Sequence, residues 1–128
     1  ALSVALKNRK VIDKAAFVHL GRVERDDLIP QIADFSLQFE GIEWACVSGV
    51  FEMNYIISVR NVGYVRAAGR VVKDAFGDIG SAGGHSSMAK AILPLSRIAK
   101  KWGIDPRNLR SINARAQREF LKALRSEK

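Results

Sequence analysis

Cysteine is nearly absent from this chain of 128 residues: Cys46 stands alone, so no disulfide can form within the chain. It lies in the apolar run Trp44-Ala45-Cys46-Val47 and reads as a small core residue. Nothing implies an oxidising compartment, and the expected location is cytoplasmic. Histidine is almost as scarce, with His19 and His85 alone. Two histidines without a matching carboxylate cluster argue against a metal site. No serine, cysteine or histidine sits in a recognisable nucleophile motif. No apolar run reaches the ~18–20 residues of a membrane span, and no signal-like segment opens the chain. No membrane partner is expected.

Charge of one sign is short too, but only in one region. Up to Ser96, eleven Lys/Arg stand against ten Asp/Glu; from Arg97 onward, ten stand against three. The net charge of +8 therefore resides almost wholly in the tail. With 48% hydrophobic and 27% charged residues, the composition is that of one globular domain. We divide it into a body, 1–96, and a basic helical extension of the same domain, 97–128.

Hydrophobic periodicity gives the order of elements. A short helix opens at Leu2–Asn8, and a buried strand follows at Ala15–Leu20, broken by Gly21. Asp26 or Asp27 caps a helix with Pro30 in its first turn, whose stripe is Ile29, Ile32/Ala33, Ser36 and Phe39, ending at Gly41. Ile42–Phe51 and Tyr55–Arg60 form a hairpin. Tyr64, Val65, Ala68, Val71, Val72, Ala75 and Phe76 make a helical stripe stopped by Gly77. A glycine-rich loop follows, and Met88–Leu93 is a strand before Pro94. The expected fold is α+β, a mixed sheet of about four to five strands with helices on one face and an amphipathic basic helix at the C-terminus. That helix starts at Asp105-Pro106 and runs five to six turns. Its apolar side carries Leu109, Ile112, Ala116, Phe120, Ala123 and Leu124. Arg107, Arg110, Arg115, Arg118, Lys122 and Arg125 lie opposite, and only Leu121 breaks the division.

The loop Gly77–His85 holds four glycines. Backbone without Cβ atoms lets a ligand approach closely, and successive amides can face an anion. His85 adds a side chain able to donate to a phosphate or stack on a base. No Gly-Lys-Ser/Thr follows, so this is not a Walker loop, and it follows a helix, the wrong order for a dinucleotide fingerprint. The plain alternative is a tight helix-to-strand connection. Arg60, ending its strand, is either a solvated charge or a bidentate phosphate ligand if it converges with the loop. His19 alternates with apolar residues and reads as a satisfied core histidine.

Gly80-Ser81-Ala82-Gly83-Gly84-His85-Ser86-Ser87-Met88-Ala89 resembles the glycine-glycine-histidine motif of the DHH-associated C-terminal domain. That domain ends RecJ-like nucleases, oligoribonuclease/pAp-phosphatases and exopolyphosphatase-related proteins. Ser58-Val59-Arg60 is similar to the family's serine-x-arginine strand, and the likeness spans about residues 15 to 95. It implies substrate or phosphate binding by Arg60, Ser81, Gly83, Gly84 and His85, with no catalytic residue and no metal ligand in this chain. The metal, manganese or magnesium, is then expected in a DHH catalytic domain outside it, and this chain is a C-terminal domain of a larger phosphoesterase, inactive alone. Two positions depart from the pattern: Ala82 stands where a glycine is usual, and Lys90 where a small residue is usual.

Three functional readings follow. The chain is a domain holding an oligonucleotide, a nucleotide or another phosphate ester for a phosphoesterase. Alternatively it is a stand-alone nucleic-acid-binding module using the basic C-terminal helix, with candidate contacts at Arg115, Arg118 and Lys122, and Lys90 as a further candidate phosphate contact beside the glycine motif. In the third reading its tail helix docks on another subunit, such as a second copy in a homodimer. The substrate itself, from dinucleotide to polyphosphate, is not specified by these residues.

Overall fold

The computed structural model describes residues 2–62 and 66–126. Its six-stranded mixed sheet has the order β1-β2-β3-β4-β6-β5, one strand more than the upper expectation. The strands are β1 (Lys10–Ile12), β2 (Ala15–Arg22), β3 (Trp44–Phe51), β4 (Asn54–Asn61), β5 (Ser81–Gly84) and β6 (Met88–Pro94). The helices are α1 (Leu2–Lys7), α2 (Leu28–Ser36), α3 (Ala68–Phe76), α4 (Leu95–Trp102) and α5 (Leu109–Arg125). β2 and β3 are parallel, joined through α2, and every other neighbouring pair is antiparallel.

Helices cover both faces of the sheet, not one. Alternating residues of β2, β3 and β4 serve two separate cores, which requires a helical layer on each side. The larger core joins Phe17, Trp44, Tyr55, Val59 and Leu93 to α3, α4 and α5. The smaller joins Val18, Val47 and Ile56 to Ile29, Ile32 and Ala33 of α2.

Several boundaries move. β2 continues past Gly21, which at φ +75° makes an irregularity in the pairing with β3 rather than a stop. α2 ends at Ser36, and Phe39 lies in the turns beyond it. Asp27 occupies the N-cap, but no side chain bonds the helix there. Tyr64 and Val65 lie outside the described residues; the rest of their stripe forms α3, followed by Gly77. Pro94 ends β6 and also sits at the N-cap of α4, an element the sequence did not announce. The tail helix begins at Leu109, not at Asp105. Asp105 instead accepts from the Arg107 amide and guanidinium, which holds its exposed carboxyl down to about 2. Asn108 caps α5 by accepting from the Ser111 amide.

The apolar side of α5 belongs to the larger core. Phe120 meets Phe17 and Trp44 edge-to-face, with ring centroids 5.9 and 5.6 Å apart. Leu121 is buried with them, so it widens the apolar face rather than interrupting it. The surface that could have received a second copy is filled by the chain's own sheet and α3. Cys46 is buried, and burial pushes its thiol well above the ordinary range. His19 is held on both nitrogens: Ser48 donates to Nδ1 at 2.7 Å, and Nε2–H donates to Gln117 Oε1 at 2.6 Å. Among the described residues, no helix is long and apolar enough to cross a membrane.

Candidate functional site

The second face of the sheet is only half covered. α2 packs on β3 and β4, and no helix of the described residues lies over Met88 and Lys90 of β6. Met88 is 49% exposed and Lys90 is exposed. The uncovered region is an open groove of about 220 Å³. Its lining includes Ser58 and Arg60 of β4, Gly83 and Gly84 of β5, His85 and Lys90.

Strand register explains the convergence. Arg60 pairs with Met88, Ser58 with Lys90, and Gly83 with Lys90. Directly opposed residues share a face of the sheet, so Ser58, Lys90 and Gly83 form one row and Arg60 with Met88 the next. Gly83 leaves the floor of the groove open: a Cβ there would meet nothing within 4 Å. Ala82 points the other way, its methyl packed against the larger core. Its extra carbon therefore does not narrow the groove.

Residues 81–84 are an edge strand rather than a loop. Its amides alternate in direction, and the His85 N–H is committed to the Met88 carbonyl at 2.7 Å. The expected run of converging amides is therefore not formed. Side chains carry the positive character of the groove. Ser81 does not reach it; it lines a separate cleft with Gly80, Pro94 and Arg97.

Two groups that sequence reasoning missed fix this arrangement. The first amides of α3 donate to the turn, Ala68 to Ser86 O at 2.9 Å and Gly69 to His85 O at 2.8 Å. These bonds satisfy helix-end donors that no capping side chain reaches. A Cβ on Gly69 would run into the Gly84 carbonyl, and one on Gly84 would collide with the Met88 carbonyl. Gly69 therefore lets α3 approach β5 this closely, and Gly84 lets the turn from β5 into β6 close against Met88 and Ala89. The second group is Asp34 of α2, which accepts from Arg60 Nε at 2.7 Å. Gly69 falls inside an amphipathic stripe and Asp34 on the polar side of a helix, so neither carries a local signal.

The cations of α5 lie on the far side of the sheet, and two of the five, Arg115 and Arg125, are ion-paired. Arg115 pairs with Glu119 at 2.9 Å and stands over the Trp102 ring. Arg125 pairs with Asp13. Lys122 lines a cleft shared with Asp74, Asp78 and Glu119. Arg110 and Arg118 are exposed, with no ion pair among the described residues. Arg66 reaches back to the end of α5, donating from Nη1 to the carbonyls of Ala123, Leu124 and Ser126 at 2.6–2.9 Å.

No protein-family model matches the chain. An uncharacterized protein of Methanocaldococcus jannaschii is 34% identical over 95 residues, 73% of this chain and 19% of that protein. The chain thus spans about a fifth of the length of that curated relative. Among solved structures, an exopolyphosphatase-related protein from Bacteroides fragilis matches with a TM-score of 0.61 at 14% identity. That match covers 95% of this chain and 34% of the other. The C-Ala domain of alanyl-tRNA synthetase from Aquifex aeolicus matches with a TM-score of 0.56 at 10% identity, over 85% of this chain and 97% of its own. These structural likenesses are of fold.

Proposed function

We propose that this chain is the substrate-binding C-terminal domain of a metal-dependent DHH-family phosphoesterase, and that its groove holds the phosphate of a nucleotide or short oligonucleotide. One observation carries the reading: Arg60, His85 and Lys90, supplied by different segments, line one groove whose glycine floor is open. A guanidinium gives directed N–H donors, the ammonium a point charge, and the imidazole a donor or stacking surface. The fold shared with part of an exopolyphosphatase-related protein supports the assignment.

Hydrolysis belongs, in this reading, to a DHH catalytic domain carrying manganese or magnesium. Among the described residues, no group of three or more His, Cys, Asp or Glu side chains could hold a metal, so no metal step is assigned to them. The test is calorimetric titration of the protein with a short single-stranded RNA. Arg60→Ala and His85→Ala are expected to weaken binding without changing the unfolding profile. Unaltered affinity in both variants would refute the assignment. Metal-dependent turnover by this chain alone would refute its accessory role.

A second reading places nucleic acid on the exposed basic side of α5, through Arg110, Arg118 and Lys122. It draws support from the likeness to a domain of a tRNA synthetase. The engagement of Arg115 and Arg125 within the chain leaves it fewer cations, and the groove is preferred.

A further inference from the structure

Arg60 is engaged before any ligand arrives. Its Nε–H donates to Asp34 Oδ1 at 2.7 Å and its Nη1 to the Val59 carbonyl at 3.1 Å. Nη2 has no hydrogen-bond partner among the described residues. Arg60 is 9% exposed, whereas the Asp34 side chain is 66% exposed. An anion docking on the remaining N–H groups would therefore share one guanidinium with a carboxylate. Hydrogen bonds of about 2.8 Å to different N–H groups of that plane hold the two anions roughly 5–7 Å apart. Charges at that separation still repel, in proportion to the charge of the incoming group.

The groove's charge inventory gives this repulsion a consequence. Among its lining residues only Arg60, His85 and Lys90 are ionisable. Asp34 offsets Arg60, so within the groove Lys90 is the one permanent cation with no carboxylate partner among the described residues. A phosphodiester carries one negative charge, and a phosphomonoester nearly two above its second pKa of about 6.

We propose that Asp34 is a specificity-determining residue: sharing Arg60 with the ligand, it penalises a terminal phosphomonoester more than an internal phosphodiester. The inference rests on the groove binding phosphate. Asp34 acts through Arg60 and is thus a positioning residue that also discriminates by charge. A mere brace would be replaced without effect by asparagine, whose Oδ1 accepts the same hydrogen bond but carries no charge.

The experiment compares affinities for two probes, the dinucleoside monophosphate ApA and adenosine monophosphate, at about pH 8 and low salt. They are measured on the protein, on Asp34→Asn and on Asp34→Glu, with the unfolding midpoint of each. Asp34→Asn is expected to tighten adenosine monophosphate about three- to tenfold and ApA by clearly less. Asp34→Glu is expected to restore the original ratio. If asparagine prevents folding, Asp34→Ser serves as the neutral variant. A ratio unchanged by the neutral variant, or moved toward ApA, overturns the proposal while leaving the phosphate site intact. If neither probe binds the unmodified protein, the phosphate-binding reading fails and this inference with it.

Discussion

The two faces of the sheet solve different problems. On one, α3, α4 and α5 close a continuous core around Phe17, Trp44 and Phe120, and cations serve as fasteners. Arg66 ties the end of α5, and Arg115 spans Glu119 and Trp102. On the other, α2 stops over β3 and β4, and the outer strands are left bare around Arg60, His85 and Lys90. Most of the chain's charge lies with the closed face, yet the groove is on the open one. Surplus charge and binding geometry are separate properties, because an exposed basic helix supplies charge without a concave site, whereas the groove gathers a few donors from several strands.

If the closed face carries stability, Phe120→Ala is the variant that should cost most, about 3–5 kcal/mol by chemical denaturation, since it empties an aromatic cluster. Arg66→Ala comes next. It removes the donor to three carbonyls at the end of α5 and should cost about 1–3 kcal/mol in the same assay. On the open face, Arg60→Ala should weaken oligonucleotide binding by a similar 1–3 kcal/mol, read by calorimetry. A stability loss there as large as that of Phe120→Ala would erase the contrast between the faces.

Smaller effects sharpen the contrast further. Burial lowers the His19 pKa, opposed by its bond to Gln117 and aided by Lys10. The unfolded chain then binds the proton more readily, so stability should be full above about pH 6.5 and fall as pH drops below it. His19→Gln should flatten this component in unfolding experiments run across that window. Smallest of all, charge reversal at Arg118 and Lys122 should leave RNA affinity in the groove nearly unchanged. A steep salt dependence lost in that variant, near −0.7 per phosphate contact, would move the interface to α5.

Elements with strong periodicity were legible in the sequence: the β3–β4 hairpin, the apolar side of α5, and β6. The misses share a physical cause. Ser81–Gly84 has little intrinsic strand preference and is a strand because β6 pairs with it and α3 packs on it. α4 buries only Leu95 and Ile98, too few to register as a stripe, and Pro94 reads as a terminator. The two-sided covering was hidden because near-continuous apolar runs in β3 and β4 do not say how many faces they bury. Within the site, the residue types of Arg60, Gly83, Gly84 and His85 were visible, and their shared groove follows from strand register. Asp34 and Gly69 were invisible because each acts only through a partner distant in sequence.

In the proposed function the open face, not the basic helix, receives the phosphate-bearing ligand. Titrating the isotope-labelled protein with a short single-stranded RNA, and following backbone amide and arginine Nε resonances, tests it most directly. Shifts should concentrate at Gly83, Gly84, His85, Lys90 and the Arg60 side chain, with Arg110, Arg118 and Lys122 little moved. Shifts confined to α5, with the groove resonances unchanged, would contradict it.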